Sequence, residues 1–289
     1  MTLPPDPEFR AQSKENPDKS DAIWQIAAAK QVGRSHIYLN RGCEDDFAHT
    51  EAPGRVLIAV VSDGAGSVPF AAEGAQTICK TILQAATEFC QGRGDPSRPL
   101  TPELDRTMIL AWIEQARAAL EVKATATRSP LNHYAATLLL ACIGPHDAVI
   151  AQIGDGATVI ATDNHQTEWQ YVHWPQHGDF LNTTYFVTES DYAEHLLIAA
   201  PPSPITAVAM FSDGLERLLL SEQNRAAHSP FFTKIFAQFR QCLRQTALPA
   251  QDHARSDMTK IIADLLDSRE VNDRTDDDKT LLLAMREDK

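Results

Sequence analysis

The sequence has no Cys-x-x-Cys pair, no run of about 18 apolar residues, no basic cluster and no repeat of fixed period. Each absence removes a class. The five cysteines, Cys43, Cys79, Cys90, Cys142 and Cys242, are odd in number and scattered. They argue for reduced thiols in a cytosolic protein and against a disulfide frame, and most read as small core residues. Cys43, beside an acidic pair, is the one with a redox reading. Without a long apolar run there is no membrane span, and Met1 to Ser20 lacks the apolar segment of a secretory signal. That stretch, rich in Pro, Asp, Lys and Glu, reads as a flexible arm (residues 1–20). The formal net charge of -13, with no basic cluster to offset it, argues against nucleic acid and anionic membrane surfaces as partners. H-E-x-x-H, zinc-spaced His/Cys sets and G-x-x-x-x-G-K-[ST] are also missing, which removes zinc hydrolases and P-loop enzymes.

What is present is an apolar fraction of 43% over 289 residues, enough for a sizeable core. The hub is an apolar run, Val56 to Val61, that reads as a buried strand and ends on Ser62-Asp63-Gly64-Ala65-Gly66. An acid at a strand end suits a hard cation, and Gly64 lets a backbone carbonyl approach. Asp-Gly is equally a common turn, so one instance decides nothing.

The rest of the chain supplies the context. Ala22 to Ala29 reads as a first strand with Trp24 as its anchor, and Gly33 to Gly42 as a polar connection. Phe70 to Cys90 carries an apolar stripe at helical spacing: Ala71, Ala75, Ile78, Cys79, Ile82, Ala86 and Phe89. Pro102 to Val122 is a second helix, capped by Thr101, with Leu104, Met108, Ala111, Trp112, Ala116, Ala119 and Leu120 inward. The period then changes. Ala136–Ile143, Ala148–Ile153 and Ala157–Thr162 read as an antiparallel meander with turns at Pro145-His146-Asp147 and Gly154-Asp155-Gly156. Glu168 to Trp174 offers a further strand, and Pro175 to Thr188 is an irregular excursion that fits a flap over a site and an ordinary loop equally. Strands at Leu196–Ala199 and Ala207–Phe211 follow. The second ends on Ser212-Asp213-Gly214-Leu215, repeating the hub. Helices over Phe231–Thr246 and Arg255–Ser268 precede Asp276-Asp277-Asp278-Lys279 and a last buried strand, Thr280–Met285. Neither half closes a sheet alone. The pattern predicts one α+β domain over residues 21–289, sheets inside and helix pairs outside.

Five acidic sites, Glu44-Asp45, Asp63, Asp155, Asp213 and Asp277-Asp278, border strand candidates. Brought together, such carboxylates repel, and some stay protonated unless cations compensate. A pair of divalent ions about 4 Å apart resolves the repulsion and readies a water for attack on phosphorus.

In order and surroundings these motifs resemble the metal-dependent protein serine/threonine phosphatases of the 2C type. That family has an early Glu-Asp, a strand ending Asp-Gly, a central strand–Gly-Asp–strand turn, Ser/Ala-Asp-Gly-Leu, and Asp-Asn-x-Thr before the last strand. The chain supplies Glu44-Asp45, Asp63-Gly64-Ala65-Gly66, Gly154-Asp155, Ser212-Asp213-Gly214-Leu215 and Asp277-Asp278-Lys279-Thr280 in that order. The likeness covers about Ala22 to Arg286. The segment from Trp174-Pro175 through Gly178, Asn182-Thr183-Thr184 and Phe186 resembles a bacterial branch. The resemblance implies a central antiparallel β-sandwich flanked by helix pairs, in α-β-β-α layers. It also implies two Mn2+ or Mg2+ ions, with a weaker third. Asp63 would bridge both ions with the Gly64 carbonyl on one; Asp213 and Asp277 would hold the other; Glu44 and Asp45 would act partly through waters; Asp155 would serve the third. Asp63, Asp213 and Asp277 thereby become the catalytic acids, acting through a metal-activated water that attacks phosphoserine or phosphothreonine directly. The implied partner is a phosphoprotein, the substrate of a serine/threonine kinase, in cytoplasmic signalling.

Three departures stand out. Relatives place an Arg four residues before the Glu, where this chain has Asn40, so Arg41 or Arg34 becomes the phosphate candidate. Ala65 occupies the place of a His found in some relatives, leaving the general acid unassigned. Asp278 replaces the usual Asn and adds charge near the ions. They keep a rival reading in view, a catalytically weak 2C-like metal-binding module that holds a phosphoprotein without turning it over. His36, His49, His133 and His177 are scattered and read as surface or loop residues.

Overall fold

A computed structural model describes residues 24–286 except 97, 164, 179–182, 202–203 and 246–250. The N-terminal arm, residues 22–23 of the first expected strand and Asn182 lie outside the described residues.

The strands are β1 (Trp24–Gln31), β2 (Asp46–Ala52), β3 (Val56–Ser62), β4 (Leu138–Ile143), β5 (Ala148–Ile153), β6 (Ala157–Ala161), β7 (Gln170–Tyr171), β8 (Leu197–Ala199), β9 (Ala207–Phe211), β10 (Leu220–Ser221), β11 (Ala226–Ala227) and β12 (Lys279–Arg286). The helices are α1 (Arg34–Tyr38), α2 (Ala71–Gly92), α3 (Arg106–Thr127), α4 (Tyr192–His195), α5 (Glu216–Leu219), α6 (Ser229–Gln245), α7 (Gln251–Leu266) and α8 (Arg269–Asn272). Two antiparallel five-stranded sheets have the orders β1-β12-β9-β6-β7 and β2-β3-β4-β5-β8. No described helix is long and apolar enough to cross a membrane.

The apolar runs of the sequence now have a cause. In β3, Val56, Ile58 and Val60 join the cluster under α2 and α3, while Leu57, Ala59 and Val61 join the cluster between the sheets. In β12, Leu281, Leu283 and Met285 face α6 and α7, while Leu282 and Ala284 face the opposite sheet. A strand covered on both faces has no reason to alternate with polar residues, so it reads as a continuous apolar run. The layers are helix pair, sheet, sheet, helix pair.

Four expectations need correction. The meander fails at its second turn. β4 and β5 pair, but β6 leaves for the other sheet and pairs with β9 and β7. Gly154-Asp155-Gly156 is therefore a crossing between sheets, not a hairpin. The second helix starts at Arg106, with Asp105 as its cap accepting from the Met108 N–H at 2.9 Å. Thr101 is taken elsewhere: Asp147 accepts from the Thr101 N–H, the Thr101 hydroxyl and the Leu100 N–H at 2.7–2.8 Å. The inward face of α3 includes Ile109 and Ile113, and Ala111 is exposed. The connection after β1 contains the short helix α1.

Candidate metal centre

The acids sit at one end of the sandwich, each delivered by a different strand junction. Asp63 follows β3 and is fixed by Thr137. Its N–H donates to Thr137 Oγ1 at 2.9 Å and its carbonyl accepts from the Thr137 N–H at 2.8 Å. Asp155 sits at the crossing from β5 to β6. Gly154 takes φ +107°, a conformation disfavoured for side-chain-bearing residues, and a Cβ there would lie 2.5 Å from the Thr137 methyl. Thr137 thus abuts both junctions. Asp213 opens a 3-10 turn after β9, and Gly214 packs so closely that a Cβ would stand 1.9 Å from the Asp278 carbonyl oxygen. Only glycine lets the β9 and β12 junctions meet in this way.

Asp45 is buried just before β2. Its Oδ2 accepts from the Ser212 and Thr280 hydroxyls, both at 2.7 Å, and Ser212 Oγ accepts from the Thr280 N–H at 3.0 Å. This ties the Glu44-Asp45 segment to the paired ends of β9 and β12. Asp278 is held by the Gly33 N–H at 2.6 Å, the Glu44 N–H at 2.5 Å and His36 Nδ1 at 2.9 Å. Its neighbour Asp277 is more exposed, and its Oδ1 accepts from the Asp278 N–H at 2.8 Å. Arg41 donates to Glu44 and to the carbonyls of Gly66 at 2.5 Å and Val68 at 3.1 Å. Arg34 instead pairs with Asp273 at 3.5 Å, both half exposed.

Electrostatics follow from this convergence. Burial, then the Asp45 and Asp213 carboxylates, push Asp63 well above the ordinary carboxylate range. Burial and Asp213 raise Asp155. Asp45 is pushed up to about 7 by burial, against the pull of its two hydroxyl donors, with Asp278 and Asp213 adding repulsion. Asp277 rises to about 6, from desolvation first and Asp213 second. Burial raises Glu44 against the pull of Arg41 and His36.

Three buried carboxylate oxygens, Glu44 Oε2, Asp45 Oδ1 and Asp213 Oδ1, have no hydrogen-bond partner. Orphaned buried acceptors are costly. An all-oxygen donor set with spare lone pairs is what Mg2+ or Mn2+ takes, so the residues present fit such ions. No three of these acids bring ligand atoms within 4.8 Å of one another; among the described residues only Glu189, Asp191 and His195 do. That trio is partly exposed and already engaged, with His195 paired to Asp191 at 3.3 Å and stacked on Tyr185 at 3.6 Å between ring centres. The spread of the strand-end acids accords with their mutual repulsion.

His36 was misplaced by the sequence reading. It is 6% exposed, with its ring between Asp278 (2.9 Å) and Glu44 (3.7 Å). The extra acid in the last motif signals only that a compensating donor is needed; the fold makes His36 that donor. Thr137, Ser212 and Thr280 were missed as supports because hydroxyls carry no spacing signature. The Cys43 thiol is pushed far up by burial and the carboxylates of Asp45 and Asp278, which removes the reactive reading. The excursion from Pro175 borders the site. Gln176 Oε1 accepts from the Gly154 N–H at 2.7 Å, Thr184 donates to the Gln176 carbonyl at 2.9 Å, and His177 pairs with Glu216 at 3.4 Å.

The family model described as Protein phosphatase 2C matches residues 32–252. The chain is 32% identical over 267 residues to Serine/threonine-protein phosphatase 3 of Escherichia coli (strain K12), covering 91% of this chain and 98% of that protein. Among solved structures, the serine/threonine phosphatase of S. agalactiae matches with a TM-score of 0.59 at 15% identity, over 91% of this chain and 100% of the other. RsbX in complex with magnesium matches with a TM-score of 0.50 at 14% identity, over 93% and 98%. These two share the fold.

Proposed function

Because the chain belongs to the protein phosphatase 2C family of serine/threonine phosphatases, we propose that it is an active, metal-dependent phosphoprotein phosphatase. Its substrates are phosphoserine and phosphothreonine side chains, and it acts in the cytoplasm on products of a serine/threonine kinase. One observation carries the reading: junctions distant in sequence deliver acids to one end of the sandwich, and three buried carboxylate oxygens there lack partners. A pure binding module has no need of such an acid set.

Asp63, Asp213 and Asp277 would hold two Mn2+ or Mg2+ ions with the Gly64 carbonyl, while Glu44 and Asp45 would act partly through waters and Asp155 would hold a weaker third. Such ions supply Lewis acidity, which neutralises phosphate charge and lowers the pKa of water. The chain's own contributions are positional. Thr137 fixes Asp63 from two sides, and Ser212 and Thr280 aim Asp45 by occupying one of its oxygens. Arg41, bridging Glu44 and the 66–68 loop, is the phosphate candidate nearest the acids, and Arg34 lies farther out on α1. Residues 21–289 act as one catalytic unit in this reading.

The test uses two readouts. Manganese raises the melting temperature of the wild-type protein by mass action, and the protein releases phosphate from a phosphothreonine peptide. Asp63→Asn loses both. Turnover that survives chelation and this substitution refutes the mechanism; peptide binding without turnover, manganese present, selects the non-catalytic module.

A further inference from the structure

Among the described residues, four large apolar side chains are exposed, and three of them are consecutive: Ile37 at 57%, Tyr38 at 89% and Leu39 at 59%. Singly scattered apolar residues need no explanation, but a contiguous exposed set does. This set is bracketed by site residues. His36 immediately before it lies between Asp278 and Glu44, and Arg41 two residues after it bridges Glu44 to the Gly66 carbonyl. The chain is held rigid there. The Ile37 N–H donates to the Gly33 carbonyl at 3.0 Å, the Leu39 N–H to Ser35 at 3.1 Å and the Arg41 N–H to His36 at 2.8 Å, with Asn40 at φ 55° making the turn. Backbone so constrained on both sides presents the apolar side chains outward without disturbing the acids.

We propose that Ile37, Tyr38 and Leu39 form a docking surface for the phosphoprotein substrate, selecting segments with an apolar side chain a few residues from the phosphorylated one. This rests on the phosphatase reading above. The Leu39 Cα lies at most about 7.6 Å from that of Arg41, two Cα steps of 3.8 Å. An extended peptide advances roughly 3.3–3.6 Å per residue, so a phosphoresidue beside Arg41 places a neighbour a few positions away over this surface. Continuity with the site favours the substrate as occupant over a second copy of the chain, which would bring its own net charge of -13 into contact. Tyr38 offers the large aromatic contact area enriched at protein interfaces, and Ile37 and Leu39 add apolar surface beside it.

The experiment compares the wild-type protein with a Tyr38→Ser, Leu39→Ser double variant on three probes. These are p-nitrophenyl phosphate, a phosphothreonine peptide with flanking leucines, and the same peptide with flanking serines. The wild type prefers the leucine peptide about tenfold in kcat/KM, as burial of one such side chain would give. The variant loses that preference through KM while hydrolysing p-nitrophenyl phosphate normally. A preference that persists in the variant, or an equal loss on all three probes, overturns the proposal. So does a wild-type dimer in sedimentation that the variant dissociates, since the surface would then join copies. Anisotropy of the labelled peptides separates this from the phosphatase reading. Patch-dependent binding of the leucine peptide without turnover sinks the enzyme and keeps the docking surface; equal binding of both peptides sinks the docking surface.

Discussion

Chelated protein should lose stability as pH rises from 5 to 8, the opposite of ordinary acid denaturation. Asp45 is 1% exposed, and its carboxyl is pushed from the usual 3.8 up to about 7. A group held protonated in the folded state favours folding below its unfolded pKa, and that contribution disappears as pH climbs through the folded value. The gap of about 3 pH units at 1.36 kcal/mol each amounts to about 4 kcal/mol in all, of which about 3 kcal/mol falls between pH 5 and pH 8, because the first unit above the unfolded value lies below pH 5. Asp63, Asp155 and Asp277 are raised in the same direction and add to the slope. For a chain of this size about 3 kcal/mol corresponds to a fall of about 5 °C in melting temperature. Differential scanning fluorimetry in EDTA across pH 5 to 8 reads it directly. Asp45→Asn removes Asp45's share, so in EDTA at pH 8 the variant melts above the wild type. With manganese the order reverses, because the wild type's carboxylates are then neutralised by ions. A flat or rising wild-type curve in EDTA, or a variant that melts below wild type at pH 8, refutes the account of crowded, desolvated acids.

Two further substitutions probe the frame beneath the acids. Asp278→Asn keeps the shape but removes one acceptor from a group serving two backbone N–H groups and His36; it lowers stability by about 2 kcal/mol in urea unfolding, and an unchanged midpoint would show that those donors have other partners. Gly214→Ala drives a Cβ into the Asp278 carbonyl oxygen, so metal-dependent stabilisation falls together with folding stability, by about 3 kcal/mol or more. A well-folded variant with a normal manganese shift would mean the β9 and β12 junctions need not meet so closely.

Much of this molecule was readable from the chain. β3, β5, β9 and β12 announce themselves as apolar runs because helices cover one face and the opposite sheet the other. The acids at their ends are legible because each borders an apolar run, at Gly-bearing junctions for Asp63, Asp155 and Asp213 and in an acidic run for Asp277. β2 was not, since an edge strand with a mixed pattern, Asp46 to Ala52, lacks a buried second face to purge its polar residues.

The sequence by itself determined the kind of site: carboxylates without zinc-type ligands, at the ends of strands, in a fixed order. Periodicity is local, so it could say that Ala157 to Ala161 is a strand but not that it joins β9 instead of β5. Only the tertiary structure decided that Gly154-Asp155-Gly156 crosses between sheets, which is what carries Asp155 to the acids on the other side. Only packing, too, could choose His36 as the partner of Asp278 and commit Arg41 to Glu44. A side chain's partner depends on which distant backbone the fold sets beside it, and that is decided by burying all three apolar layers at once.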